Sequence, residues 1–232
     1  MNFPDNNLSL ARNQLIKDIR LTQNLALLED KFLDRNNSSD LGNINRSKFW
    51  FKSFWQISFQ KATSKKADKQ KTLYYTIYSD YPDDKYSFKL DNNATLYLDS
   101  LTKKYMIGNW KGDLSGSHSK DKVTTNLNLS LEYGITYIDF IYIKSKIKGR
   151  KNKLNIFFDN FGRPYVLQTK DKKKLNPSST NNFNNFEKDT TLHPFEYLLQ
   201  EPVQIKLVKN QESVCFNLEP ISGYLHIETC NF

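Results

Sequence analysis

Apolar residues recur at three- and four-residue steps near the start of the chain: Leu8, Ala11, Leu15, Ile19 and Ala26, with Leu25 and Leu28 beside them. That spacing gathers them on one stripe of a helix. Arg12, Lys17, Asp18, Arg20, Asn24 and Asp30 fall to the other face. Neither Gly nor Pro interrupts Leu8 to Phe32, and Asp5 stands where a cap belongs. The pattern therefore predicts one amphipathic helix of about seven turns. A polar stretch from Asp34 to Ser47, with Asn36 to Asp40 and Gly42, ends it.

From Phe49 the period changes. Phe54 to Phe59 and Leu73 to Tyr78 are runs of aromatic and β-branched residues that read as strands, with a lysine-rich tip between them. Strand-like runs return at Thr95 to Leu98, Ile135 to Ile143, Leu154 to Phe158, Tyr165 to Leu167 and Val203 to Val208. Lys111 to Asn126 and Lys170 to Thr191 are long and polar, and read as surface loops. No repeat of fixed period is present. The expected class is α+β: a long N-terminal helix, residues 1–34, packed on an antiparallel β-sheet that forms a β-rich head, residues 35–232.

The C-terminus carries a hairpin signal. Val214 to Glu219 and Tyr224 to Cys230 alternate around Pro220-Ile221-Ser222-Gly223. With Ser222-Gly223 as a two-residue loop, Val214, Phe216, Leu218, Leu225 and Ile227 share one face. Cys215, Asn217, Glu219, His226, Glu228 and Cys230 share the other. That register sets Cys215 opposite Cys230, at a separation compatible with a disulfide, and it depends on the loop being two residues. Two free thiols on one sheet face are the alternative.

Composition narrows the class. Apolar residues are only 38% of the 232, but 16 Phe, 13 Tyr and 3 Trp supply enough bulk for a core and argue against disorder. Eight glycines exclude collagen-like chains and Gly-rich nucleotide loops. No run reaches the roughly 18 apolar residues that cross a bilayer. The net charge of +9 is uneven. Lys144 to Lys153 holds six basic residues and no acid, and Lys61 to Lys71 and Lys170 to Lys174 are also basic. Such loops could take phosphates, with interleaved tyrosines stacking on bases; solubilising lysines that guard strand edges explain them equally simply.

Catalytic chemistry finds no constellation. There is no G-x-S-x-G elbow, no H-E-x-x-H and no Cys–His signature, and His118, His193 and His226 are isolated. Asp80, Asp83 and Asp84 could gather around Ca²⁺, but their spacing is not that of an EF-hand loop and a solvated turn accounts for them. No metal, no cofactor and no enzymatic activity is expected.

Four segments resemble one family. Leu10 to Leu27 is similar to the exposed half of the helix in type IV pilins and type II secretion pseudopilins. Trp50 to Phe59, with its two tryptophans, looks like the segment that follows. Ile156-Phe157-Phe158-Asp159-Asn160-Phe161-Gly162-Arg163-Pro164 resembles the strand–turn motif of H-type minor pseudopilins, and Ile221 to Ile227 their closing strand. The resemblance implies a structural subunit of a pilus or secretion apparatus. It implies assembly with other pilin or pseudopilin subunits through the helix that bears Leu8, Ala11, Leu15, Ile19 and Ala26. It also implies an apolar anchor ahead of Met1, in the bacterial inner membrane, with this domain in the periplasm, where a disulfide is permitted. A second expectation is a DNA-binding minor pilin of a DNA-uptake system, with Lys146, Lys148, Arg150 and Lys151 as the contact group.

Overall fold

The computed structural model describes residues 6–29, 53–63, 71–80, 95–108, 120–142, 148–150, 154–168 and 197–230. The stripe forms the predicted helix, α1 (Asn6–Leu28), unbroken over 23 residues. It starts two residues before Leu8 and stops at Leu28, since Glu29 has left it although its amide still donates to the Leu25 carbonyl (3.0 Å). Asp5 and residues 30–34 lie outside the described residues.

Among the described residues ten strands follow, in two antiparallel sheets rather than the single sheet expected. The first takes β1 (Trp55–Thr63), β2 (Lys71–Ser79), β3 (Thr95–Leu96), β6 (Leu154–Phe158) and β7 (Pro164–Gln168) in the order β3-β2-β1-β6-β7. The second takes β4 (Tyr137–Tyr142), β5 (Lys148–Arg150), β8 (Val203–Lys209), β9 (Glu212–Leu218) and β10 (Leu225–Glu228) in the order β10-β9-β8-β4-β5. The aromatic load explains the split. Every residue of β6 is buried, so both faces of that strand are covered, which one sheet under one helix cannot do. Phe59 of β1 meets Phe140 of β4 at 5.2 Å between ring centroids, where the sheets face each other.

One core serves the helix and both sheets. Leu8, Ala11, Leu15, Ile19 and Ala26 of α1 join Ile57, Phe59, Tyr75 and Ile156 of the first sheet and Phe140, Ile205, Phe216 and Leu225 of the second. A short helix, α2 (Leu129–Tyr133), packs by β2; the Asn128 side chain caps its start and Gly134, at φ 74°, its end. Neither α2 nor β5 stands out in the sequence pattern. The predicted loop from Lys111 onward includes two 3₁₀ turns, Lys120–Lys122 and Thr125–Leu127.

The C-terminal hairpin forms in a different register. Leu225 pairs with Leu218 and Glu228 with Cys215, so Cys230 lies two residues beyond the partner of Cys215. The loop is four residues, Pro220 to Gly223, closed by the Glu219 amide on the Tyr224 carbonyl (2.9 Å) and the Gly223 amide on the Glu219 carbonyl (3.1 Å). A shift of two residues keeps every side chain on its face, because the strand period is two. The disulfide survives for that reason: Cys215 and Cys230 are bonded across a diagonal, with Cα atoms 5.3 Å apart.

Candidate functional site

The helix residues expected to assemble with other subunits all face inward. Leu8, Ala11, Leu15, Ile19 and Ala26 are buried in the chain's own core. The outward stripe of α1 is Leu10, Asn13, Lys17, Arg20, Asn24 and Leu27, so that is the face any second protein would meet. Asp18 is a further correction. It is only 1% exposed, not on the outer face, because it stands three residues after Leu15 and four before the buried Thr22. Its Oδ2 accepts from the Tyr75 hydroxyl (2.6 Å) and from Gln14 Nε2 (2.9 Å).

The C-terminal half of α1 is tied to two turns that come from different sheets. Gln23 Nε2 donates to the carbonyl of Gly162, between β6 and β7, and to that of Ser222, between β9 and β10, each at 2.8 Å. One turn up the helix, Arg20 donates to the Leu225 carbonyl (2.9 Å). At the helix end Glu29 accepts from the indole N–H of Trp55. Leu27 rests on Gly162, where a Cβ would come within 3.0 to 3.2 Å of the leucine side chain. The turns also touch each other: a Cβ on Gly223 would stand 2.5 Å from Gln23 Nε2 and 3.3 Å from the Gly162 carbonyl oxygen.

Each turn is held by its own polar chemistry. The buried Asp159 carboxylate accepts from the amides of Phe161 (3.0 Å) and Arg163 (2.9 Å), from Arg163 Nε (2.7 Å) and from the Tyr165 hydroxyl (3.0 Å). Four donors on one carboxylate make this a rigid loop. The bond to Asp159 also raises the Arg163 guanidinium further above its ordinary value. In the second turn Ile221 adopts φ 63° and Gly223 φ 64°. Glycine takes that conformation freely, whereas a β-branched residue is strained in it.

What these turns present outward is apolar. Phe161 is 71% exposed, Ile221 68% and Tyr224 60%, with the exposed Leu27 of α1 against the first turn at Gly162. The Arg163 guanidinium stands 5.3 Å from the centre of the Phe161 ring, and Tyr224 stacks on His226 at 5.8 Å. A strained isoleucine and an exposed phenylalanine, both on rigid turns, form a surface suited to protein contact.

Of the other candidate residues, only some are among those the structure describes. Lys148 and Arg150 belong to β5, while Lys146 and Lys151 lie outside the described residues. Asp80 is buried just past the end of β2, with its amide on the Phe54 carbonyl (3.2 Å); Asp83, Asp84, His118 and His193 lie outside the described residues. His226 stands between Glu219 (3.6 Å) and Glu228 (3.5 Å). Among the described residues no three His, Cys, Asp or Glu side chains gather as a metal site. No described helix is long and apolar enough to cross a membrane. Gln23, which joins the two turns, carries no sequence signal; Asp159 does, as the first residue of a turn that closes on Gly162. Compared with family models, with curated proteins and with solved structures, the chain matches none.

Proposed function

We propose that this chain is a structural subunit, the periplasmic head of a minor pilin or pseudopilin anchored in the bacterial inner membrane, which assembles through the outward face of α1. The observation that carries the reading is a convergence. The four segments that resemble the family are far apart in sequence, yet all meet at the C-terminal half of α1. Gln23 and Arg20 reach the turn at Gly162 and the closing strand at Ser222 and Leu225, and Glu29 reaches Trp55. Such a junction fixes the direction of the helix relative to the head, which a subunit needs if its neighbours grip the helix while the head lies outside. The disulfide suits an oxidising compartment.

The test is site-specific photocrosslinking in the cells that make the protein. A crosslinking residue at Asn13, Lys17 or Asn24, on the exposed helix face, should give adducts of discrete mass with another helix-led subunit. Asn210, exposed between β8 and β9, should give none. Helix positions that yield no adduct, or only those that Asn210 yields, would overturn the proposal.

A further inference from the structure

Two sheets have four edge strands, and three of them are blunted in familiar ways. β3 is two residues long. β7 is covered: Tyr165 bridges to Leu198, and the Leu199 amide donates to the Pro164 carbonyl (3.0 Å). β5 has Lys148 and Arg150 among its three residues. β10 has neither Pro nor Lys, and its Ile227 is 57% exposed.

The register fixes which β10 peptides point outward. The Glu219 amide bonds the Tyr224 carbonyl, so by the alternation of the ladder His226 and Glu228 exchange hydrogen bonds with β9. Leu225 and Ile227 then turn their amides and carbonyls away from β9. Arg20 occupies the Leu225 carbonyl. The outward amide and carbonyl of Ile227 meet no described group.

We propose that β10 pairs antiparallel with β10 of a second copy, Ile227 opposite Ile227, joining two five-stranded sheets into one. Side-chain pairing favours this register, because a carboxylate that can accept from an imidazole N–H then stands opposite each histidine. His226 then faces Glu228 of the second copy, and Glu228 faces its His226. A two-fold centred on Leu225 needs the carbonyl that Arg20 holds. One centred on His226 bonds Leu225 to Ile227 and so again needs the carbonyl that Arg20 holds, and one centred on Glu228 bonds Ile227 to Thr229, whose carbonyl Gln204 Nε2 already holds (3.2 Å); each also sets like side chains against each other. The contact is isologous and consumes the only unblunted edge among the described residues, so it stops at a dimer. It does not depend on the pilin reading.

Sedimentation velocity of the full chain, from about 10 μM to about 1 mM, tests it. The wild type should show a concentration-dependent dimer. Ile227→Pro deletes one outward N–H per copy and leaves the β9 ladder whole, so dimerisation should weaken by about tenfold or more. Glu228→Lys faces the second copy's His226 with a cation and should weaken it too, and His226→Glu added to Glu228→Lys should restore it. Circular dichroism reports whether Ile227→Pro is folded; if it is not, the Glu228→Lys pair carries the test. A wild type monomeric throughout, or a dimer that the folded variants leave unchanged, overturns the proposal.

Discussion

Replacing Tyr75 by Phe removes one hydrogen bond from the middle of the core and nothing else, since Tyr75 is fully buried and its hydroxyl donates to Asp18. The acceptor makes the bond matter. Asp18 Oδ1 takes no bond among the described residues, so Gln14 would be left as the only donor to a buried carboxylate. A hydrogen bond to a charged group contributes about 1.5–3 kcal/mol and one to a neutral group about 0.5–1.5 kcal/mol. Tyr75→Phe should therefore cost close to 3 kcal/mol near neutral pH, and about 1 kcal/mol when Asp18 is already Asn. In a domain of this size that is a fall in Tm of roughly 6–12 °C against roughly 2–4 °C. The pH dependence has a definite sign. Burial holds the Asp18 carboxyl above its ordinary value of 3.8, with Asp99 adding to it, while the bonds from Tyr75 and Gln14 and the charge of Lys17 pull it down. A carboxyl raised on folding adds stability below its unfolded value, and that stability is lost as pH rises through the folded value. Tyr75→Phe lifts the carboxyl further, so the gap between variant and wild type should widen as pH climbs from about 4 toward neutrality. Urea unfolding of wild type, Tyr75→Phe, Asp18→Asn and the double variant across that range measures it. Equal costs in both backgrounds, or a gap flat with pH, would refute an ionised Asp18 held by Tyr75.

Three further outcomes are expected. Leu15→Asp buries an unpaired charge where α1 meets the sheets and should destabilise by several kcal/mol, on the order of a full core deletion; an unchanged Tm would count against that packing. Mass spectrometry of unreduced peptides should find no alkylatable thiol at Cys215 or Cys230, and Cys215→Ser should cost roughly 3 kcal/mol in urea, as the chain-entropy account gives for so short a loop. If the basic segment binds DNA, anisotropy titrations should show salt-steep, sequence-independent binding that charge reversal at Lys146, Lys148, Arg150 and Lys151 flattens; no saturation at micromolar protein near 0.15 M salt, where the screening length is about 8 Å, would dismiss that role.

The legible parts of this fold are those where one physical signal dominates. The apolar stripe of α1 and the aromatic runs of β1, β2 and β6 are local periodicities, and they appear where the pattern puts them. β5 is not legible because its three residues, Lys148-Gly149-Arg150, have no strand composition; pairing with Phe140 and its neighbours makes them a strand. Asp18 shows the opposite failure. Its charge argues for the outer face, but Gln14 and Tyr75, the latter 57 residues on, supply the donors that make burial tolerable. The hairpin shows how a wrong loop length can leave the chemistry intact, since an even shift preserves the faces. Least legible was the junction itself. Gln23 meets partners 139 and 199 residues away, and contacts at that separation leave no periodic trace in one sequence.

The bond between Cys215 and Cys230 also governs how copies of the chain can be joined. Terminal strands on short loops are the usual currency of domain swapping, in which one copy's last strand replaces another's. Here β10 is stapled to β9 of its own chain beyond its last paired residue, so the hairpin is a covalently closed ring. The ring cannot open to lend its strand without reduction or thiol exchange. In an oxidising compartment β10 can therefore be added to but not exchanged, and heating and recooling the oxidised protein returns each strand to the chain that owns it.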